Sequence, residues 1–313
     1  MPLDPHLAAV LQTLAAGGRK PLHECTIQEA RDGYRALTSG TLTPDQVVPV
    51  ASVEDAVVDG GSGPLEARIY RPDGTGPFPT VVYFHGGGFV IGDLDTHDNM
   101  CRELCRDSQA VVLSVAYRLA PEHPFPAAVD DALAATKWVF AHAAELGGTD
   151  RVAIAGDSAG GNLAAVVAQQ LHAQGKSLAA QFLIYPAVDR INANYPSVSE
   201  NGRGYFLERD TLQWFVGHYA AANRDSTDPR LFPMQASSLA GLPPAVIVTA
   251  EFDPLRDEGE AYGAALRAAG VNADIIRCDG MIHAFFDMGR WSPAAHAFIQ
   301  KSIQRFGSVV RGG

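Results

Sequence analysis

The apolar positions of this chain change period along its length. Over the first 45 residues they recur at the 3.6-residue spacing of amphipathic helices, which predicts helices at Pro5–Ala16 and Ile27–Leu37. Next, ASVEDAVV (51–58) and LEARIYRP (65–72) flank a GGSG turn and read as a hairpin. From there short continuous apolar runs take over: TVVYFH (80–85), AVVLSVAY (110–117), RVAIAG (151–156), AAQFLIYP (179–186), PAVIVTA (244–250) and NADIIRC (272–278). A strand buried on both faces gives such a run, because neither face alternates with water. Helical patterns at 127–146, 159–175, 257–270 and 294–306 lie between or after them. Eight strands, an antiparallel start and then βαβ alternation predict an α/β fold with one mostly parallel sheet covered by helices on both faces.

One connection breaks the rhythm. Nearly sixty residues separate Pro186 from Pro244, and they include ENGRGYFLERDTLQWFVGHYAA (200–221), a loop followed by an aromatic-rich helix. That is too long for a simple connection and reads as an insertion at the carboxyl edge of the sheet, where lids form. The expected organisation is N-terminal helices at 1–45 and a main α/β domain at 46–313 interrupted by an insertion at about 188–225.

Composition narrows the function classes. The hydrophobic share is 47% and the charged share 19%, ordinary for a soluble globular protein, and the net charge of −11 disfavours nucleic acid and anionic membrane surfaces as partners. The start of the chain lacks the basic region of a signal peptide and no stretch is long enough for a membrane span, so a cytoplasmic protein is the expectation. Cys25, Cys101, Cys105 and Cys278 form no C-x-x-C pair. Cys101 and Cys105, four apart on a helical pattern, lack a second ligand pair, and all four read as reduced thiols with no metal bound.

The strand RVAIAG runs into Gly156-Asp157-Ser158-Ala159-Gly160, a G-x-S-x-G. The bare pattern arises by chance ~0.15 times in such a chain, so its weight comes from its position between a buried strand and an Ala-rich helix, where a nucleophile elbow must sit. Serine needs a neighbouring base, and of the ten histidines His283, in CDGMIHAFF just after the last strand, lies at the same sheet edge. The base needs a carboxylate to fix its tautomer. Asp253 directly follows the seventh strand and is preferred to Glu251 and to Asp257, which starts a helix where a carboxylate has an ordinary capping role. The order Ser158, Asp253, His283 is that of an α/β-hydrolase. Acyl transfer also needs backbone N–H donors for the developing oxyanion. One is the amide after the nucleophile, Ala159, and the rest must come from the loop after the third strand, here HGGGF (85–89), where glycine lets the backbone approach a substrate closely. HGGG arises by chance only ~0.01 times in this chain.

HGGGF, YRLAPEHPFPA (117–127), GDSAGGN (156–162), DPLRDEG (253–259) and IHAF (282–285) occur together and in order, and the chain from about residue 65 onward resembles the bacterial hormone-sensitive-lipase-like esterases, family IV, in their GDSAG branch. The resemblance implies hydrolysis of short- to medium-chain carboxylic esters through an acyl-enzyme, without metal or cofactor. It implies a triad of Ser158, Asp253 and His283, and oxyanion donors at Gly87, Gly88 and Ala159, with Gly86 supporting the turn as part of the hole. His85 then becomes a brace for the loop, and the N-terminal helices with the insertion form a cap. Phe206, Trp214, Phe215, Leu255 and Ile282 are expected around the substrate pocket. An amidase, deacetylase or transacylase would use the same triad. A ligand receptor on this fold, like the similar plant gibberellin receptors, would lack the histidine present at 283. Homodimerisation through the last strand is common in such folds and stays open.

Overall fold

The structure is a computed structural model describing residues 1–18, 20–190, 193–224 and 226–312. The expected insertion at 188–225 includes residues 191, 192 and 225, which lie outside the described residues. The strands are β1 (Ser52–Gly60), β2 (Gly63–Arg71), β3 (Phe78–Phe84), β4 (Val111–Val115), β5 (Gly148–Asp157), β6 (Gln181–Ile184), β7 (Ala245–Phe252) and β8 (Ala273–Ile282). They form one sheet in the order β1-β2-β4-β3-β5-β6-β7-β8, antiparallel at β1–β2 and β2–β4 and parallel elsewhere.

The continuous apolar runs divide between two cores by strand alternation. Val82 and Phe84 of β3, Leu113 of β4, Ile154 of β5 and Ile247 of β7 face one side. Val81 and Tyr83, Val112, Ala155 and Val246 face the other. The first side is covered by α4 (Ala127–His142), α5 (Ala159–Ala173) and α8 (Arg256–Ala268). The second is covered by α3 (Asp98–Ser108) and α9 (Pro293–Arg311), with Leu7 of α1 (Pro5–Ala16) sealing its edge. No helix among the described residues is long and apolar enough to cross a membrane.

β3 is the switch point of the sheet. The chain moves from β3 outward to β4 and returns to β5 on its other side, so the ends of β3 and β5 lie side by side, with Phe84 paired to Gly156. β7 and β8 likewise end together, Phe252 opposite Ile282. β8 continues past the expected end at Cys278 because Gly280 N–H donates to Glu251 Oε2 at 2.7 Å and Met281 and Ile282 are buried. Above this edge lie α2 (Ile27–Leu37), whose first turn carries a Thr26–Glu29 capping box, α6 (Pro196–Glu200) and α7 (Arg209–Tyr219). The N-terminal segment and the insertion touch: His23 Nδ1 is 3.3 Å from Thr211 Oγ1 on α7. All four cysteines are free thiols, three of them buried and Cys25 half-buried.

Candidate active site

β5 turns into α5 at Ser158, whose backbone stands at φ 53°, ψ −115°. A non-glycine residue there carries strain of about 1–3 kcal/mol and is held by its surroundings. Ser158 N–H donates to Ile184 O at 2.8 Å. The flanking glycines are steric necessities: a Cβ on Gly156 would strike the Gly160 and Phe84 carbonyls, and one on Gly160 would strike Phe84 O. The G-x-S-x-G spacing thus reflects how tightly the elbow packs on the end of β3.

Ser158 Oγ is 3.0 Å from His283 Nε2, and His283 Nδ1 is 2.7 Å from Asp253 Oδ2. Asp253 is fully buried, and its other oxygen accepts from Leu255 N–H at 2.8 Å. A carboxylate accepting from Nδ1–H leaves the Nε2 lone pair toward the serine hydroxyl. The rival carboxylates have other partners. Glu251 accepts from the N-terminal amine and from Gly280 N–H. Asp257 accepts from Ser197 N–H at 2.8 Å and from Arg256 Nε at 2.7 Å.

The glycine loop is set by hydrogen bonds to its carbonyls. In a trans peptide the N–H points opposite to the C=O of the preceding residue, so fixing one aims the other. Gly86 O accepts from His85 Nδ1 at 2.7 Å, which aims Gly87 N–H. Gly87 O accepts from Val90 and Ile91 N–H, both at 3.0 Å, which aims Gly88 N–H. Ser158 O accepts from Asn162 N–H at 3.1 Å and Ala187 N–H at 3.2 Å, which aims Ala159 N–H. Among the described residues no hydrogen bond uses these three amides, and all three residues border the same cavity. Gly87 and Gly88 stand at φ 108° and 61°, and a Cβ on Gly88 would enter the Phe215 ring. Gly86 N–H donates instead to Asp157 Oδ1 at 2.8 Å and so anchors the loop.

Behind the loop lies a buried polar cluster that sequence reasoning missed. Asp157 also accepts from the Tyr83 hydroxyl, and its Oδ2 is 3.6 Å from His97 Nε2. His85 stacks on Tyr117, with ring centroids 4.3 Å apart, and the Tyr117 hydroxyl donates to His85 O at 2.6 Å. Burial, helped by the nearby charge of His97, pushes the His85 pKa down to about 4. Burial acts against a charge on His97 too, but Asp157 outweighs it and raises His97 to about 9. The signal available in sequence was only the acidic residue before Ser158; His97 sits in a polar loop sixty residues away with no pattern to single it out.

The cavity over Ser158 measures about 720 Å³. Phe206, Phe215 and Leu255 border it, as do Phe89, Tyr219 and Phe232, with Leu11, Leu14 and Leu22 contributed by the N-terminal segment. Trp214 and Ile282 do not. Trp214, one position from Phe215 and so about 100° round the helix, packs edge-on against Phe215 and His218. Ile282 is fully buried in the second core.

A family model described as alpha/beta hydrolase fold matches residues 81–287. A carboxylic ester hydrolase, LipN, of Mycobacterium tuberculosis is 44% identical over 91% of this chain and 77% of its own. An ethyl acetate hydrolase of Pseudomonas putida is 40% identical over 92% of this chain and 93% of its own. Among solved structures, a hyperthermophilic esterase from the archaeon Pyrobaculum calidifontis superposes with a TM-score of 0.93 at 41% identity, covering 99% of this chain and 98% of that one.

Proposed function

The chain belongs to the α/β-hydrolase family and is a carboxylic ester hydrolase, and we propose that it cleaves short- to medium-chain esters through an acyl-enzyme on Ser158. The observation that carries this reading is the unbroken chain Ser158–His283–Asp253, with spacings of 3.0 and 2.7 Å, at the floor of a largely apolar cavity. His283 Nε2 takes the hydroxyl proton as Ser158 Oγ attacks the ester carbonyl, and Asp253 holds the imidazolium so formed. Negative charge grows on the carbonyl oxygen within reach of the amides of Gly87, Gly88 and Ala159, where each such donor is worth ~2.7–4 kcal/mol of barrier in comparable hydrolases. His283 then protonates the leaving alcohol. A water activated by the same imidazole attacks the acyl-enzyme and releases the acid.

The cap reading is supported by residues of α1, α2 and α7 that border the cavity above the sheet edge. A cavity of about 720 Å³ bordered by Phe89, Phe206, Phe215 and Phe232 offers an apolar setting for the acyl and alcohol groups of an ester, and the short- to medium-chain preference follows the family resemblance. The test pairs two measurements. An alkyl fluorophosphonate should add one phosphonyl group per chain, at Ser158, and aryl esters of rising acyl length should show kcat/KM peaking at short to medium chains. Labelling elsewhere would remove the nucleophile assignment, and a preference for long-chain esters would remove the chain-length reading.

A further inference from the structure

His97 has a polar partner at each ring nitrogen, and each partner has another acceptor for its own hydroxyl hydrogen. Thr96 Oγ1 donates to Asp93 O at 2.9 Å and accepts from Asp93 N–H at 2.8 Å, so toward His97 Nδ1, 2.9 Å away, it acts as acceptor. The Tyr34 hydroxyl donates to Asp287 Oδ2 at 3.0 Å, so toward His97 Nε2, 3.4 Å away, it also accepts. Both ring nitrogens therefore face groups able to accept, which supports an imidazolium beside the Asp157 carboxylate. The groups around it are Asp157 at the end of β5, Tyr83 on β3, His85 in the glycine loop, Asp93 in its own loop, Tyr34 on α2 and Asp287 before α9. The neighbouring His85 ring, 5.3 Å away, is the neutral member of the pair.

Asp157 is held between this cation and the loop: Oδ2 faces His97 and Oδ1 receives Gly86 N–H. Gly86 is the residue whose carbonyl aims Gly87 N–H. Tyr34 reaches the cluster from α2, which is itself fastened to the loop's continuation. Arg31 donates to Val90 O at 2.9 Å, to Ala120 O at 3.1 Å and to both Glu122 oxygens at 2.7 Å.

We propose that His97 and Tyr34 are positioning residues for the oxyanion loop: the seating of α2 is transmitted through Tyr34, His97 and Asp157 to Gly86, and so to the direction of the Gly87 and Gly88 amides. The proposal rests on the reading of those amides as oxyanion donors. It makes α2 part of the catalytic geometry, beyond its role as a wall of the pocket. It also separates two effects of the N-terminal segment. Apolar contacts from α1 and the Leu22 turn act on ground-state binding, whereas the Tyr34 hydroxyl acts on the transition state.

The test uses Tyr34→Phe, which keeps the ring that borders the cavity, alongside His97→Gln and Ser158→Ala. Three quantities are read: kcat and KM for a short aryl ester, affinity for an aryl trifluoromethyl ketone, and affinity for the product alcohol. Ser158 Oγ adds to the ketone carbonyl carbon while His283 Nε2 takes the hydroxyl proton, which leaves a hemiketal oxyanion where the ester's would form. Tyr34→Phe should lower kcat by ~10-fold with KM nearly unchanged, and weaken the ketone by a similar factor while leaving the alcohol unchanged. The wild-type His97 ring should show the ¹⁵N signals of an imidazolium at pH 7.5, where a free histidine is neutral. The proposal is overturned if Tyr34→Phe keeps kcat and ketone affinity within twofold of wild type, or if ketone and alcohol weaken together. It is equally overturned if His97 gives the signals of a neutral ring. Failure of the underlying reading looks different: the ketone would then bind Ser158→Ala as tightly as wild type. His97→Gln, if it folds, should match Tyr34→Phe in direction and exceed it in size.

Discussion

Gly88 shows how little freedom single positions have at this site. Its left-handed backbone at φ 61° and the Phe215 ring against its α-carbon both exclude a side chain. Gly88→Ala should fold, because the loop is at the sheet edge, but should lose at least ~10-fold in kcat as its amide is turned aside. Unchanged turnover of a short aryl ester would show that this amide takes no part. Asp253 Oδ2 lies 2.7 Å from His283 Nδ1, so on the proposed mechanism Asp253→Asn should cut kcat by roughly 10⁴-fold through the wrong tautomer, with substrate binding kept. A loss of only a few-fold would put the orienting carboxylate elsewhere. The buried histidines make a stability prediction of opposite sign on each side of neutrality. His97, raised to about 9, stabilises fully below its unfolded pKa, and that contribution is lost as pH rises through about 9. His85, depressed to about 4, favours the folded state above its unfolded pKa, and that is lost as pH falls toward about 4. Denaturant midpoints measured from pH 4 to 10 should therefore fall off on both sides, and the alkaline fall should shrink in His97→Gln.

At the scale of elements, the strands were legible because burial on both faces leaves a simple trace, and the paired ends of β3 with β5 and β7 with β8 explain why Ser158, Asp253 and His283 could be sought at strand termini. The polar cluster left no such trace. Tyr34, His97, Asp157 and Asp287 come from four separate segments and meet only through the fold. Trp214 against Phe215 shows the same limit within one helix, where adjacent aromatics take opposite roles and composition cannot rank them. α8 contributes a further case. Glu258 is buried with Oε1 accepting from Val188 N–H at 2.7 Å and Asp189 N–H at 3.3 Å, and burial raises its pKa from 4.5 to about 8. Its stabilisation is full below about 4.5 and is lost as pH rises through about 8. Glutamine keeps the acceptor oxygen and cannot ionise, so Glu258→Gln should match wild type at pH 5 and exceed it in thermal midpoint at pH 9. A variant less stable than wild type at pH 9 would contradict the buried-carboxyl reading.

Across the whole molecule, one sheet edge carries Ser158, Asp253 and His283, and residues of α1, α2 and α7 border the cavity beside Ser158. Polar side chains tie the N-terminal segment to the rest of the fold: Arg31 to Val90 O and Glu122, and Arg290 to Leu37 O at 3.1 Å. Arg31→Ala leaves the Val90 and Ala120 carbonyls without their guanidinium and should cost ~1–3 kcal/mol of stability, read as a lower denaturant midpoint at unchanged m. An unchanged midpoint would mean that α2 is seated by its apolar contacts alone. The claim on which all of this depends is that Ser158 is the nucleophile of an ester hydrolase. The most direct measurement is turnover of a short aryl ester by folded Ser158→Ala beside wild type. Loss of activity by ~10⁴-fold or more, with the unfolding transition retained, is the expected result; turnover within tenfold of wild type would contradict it.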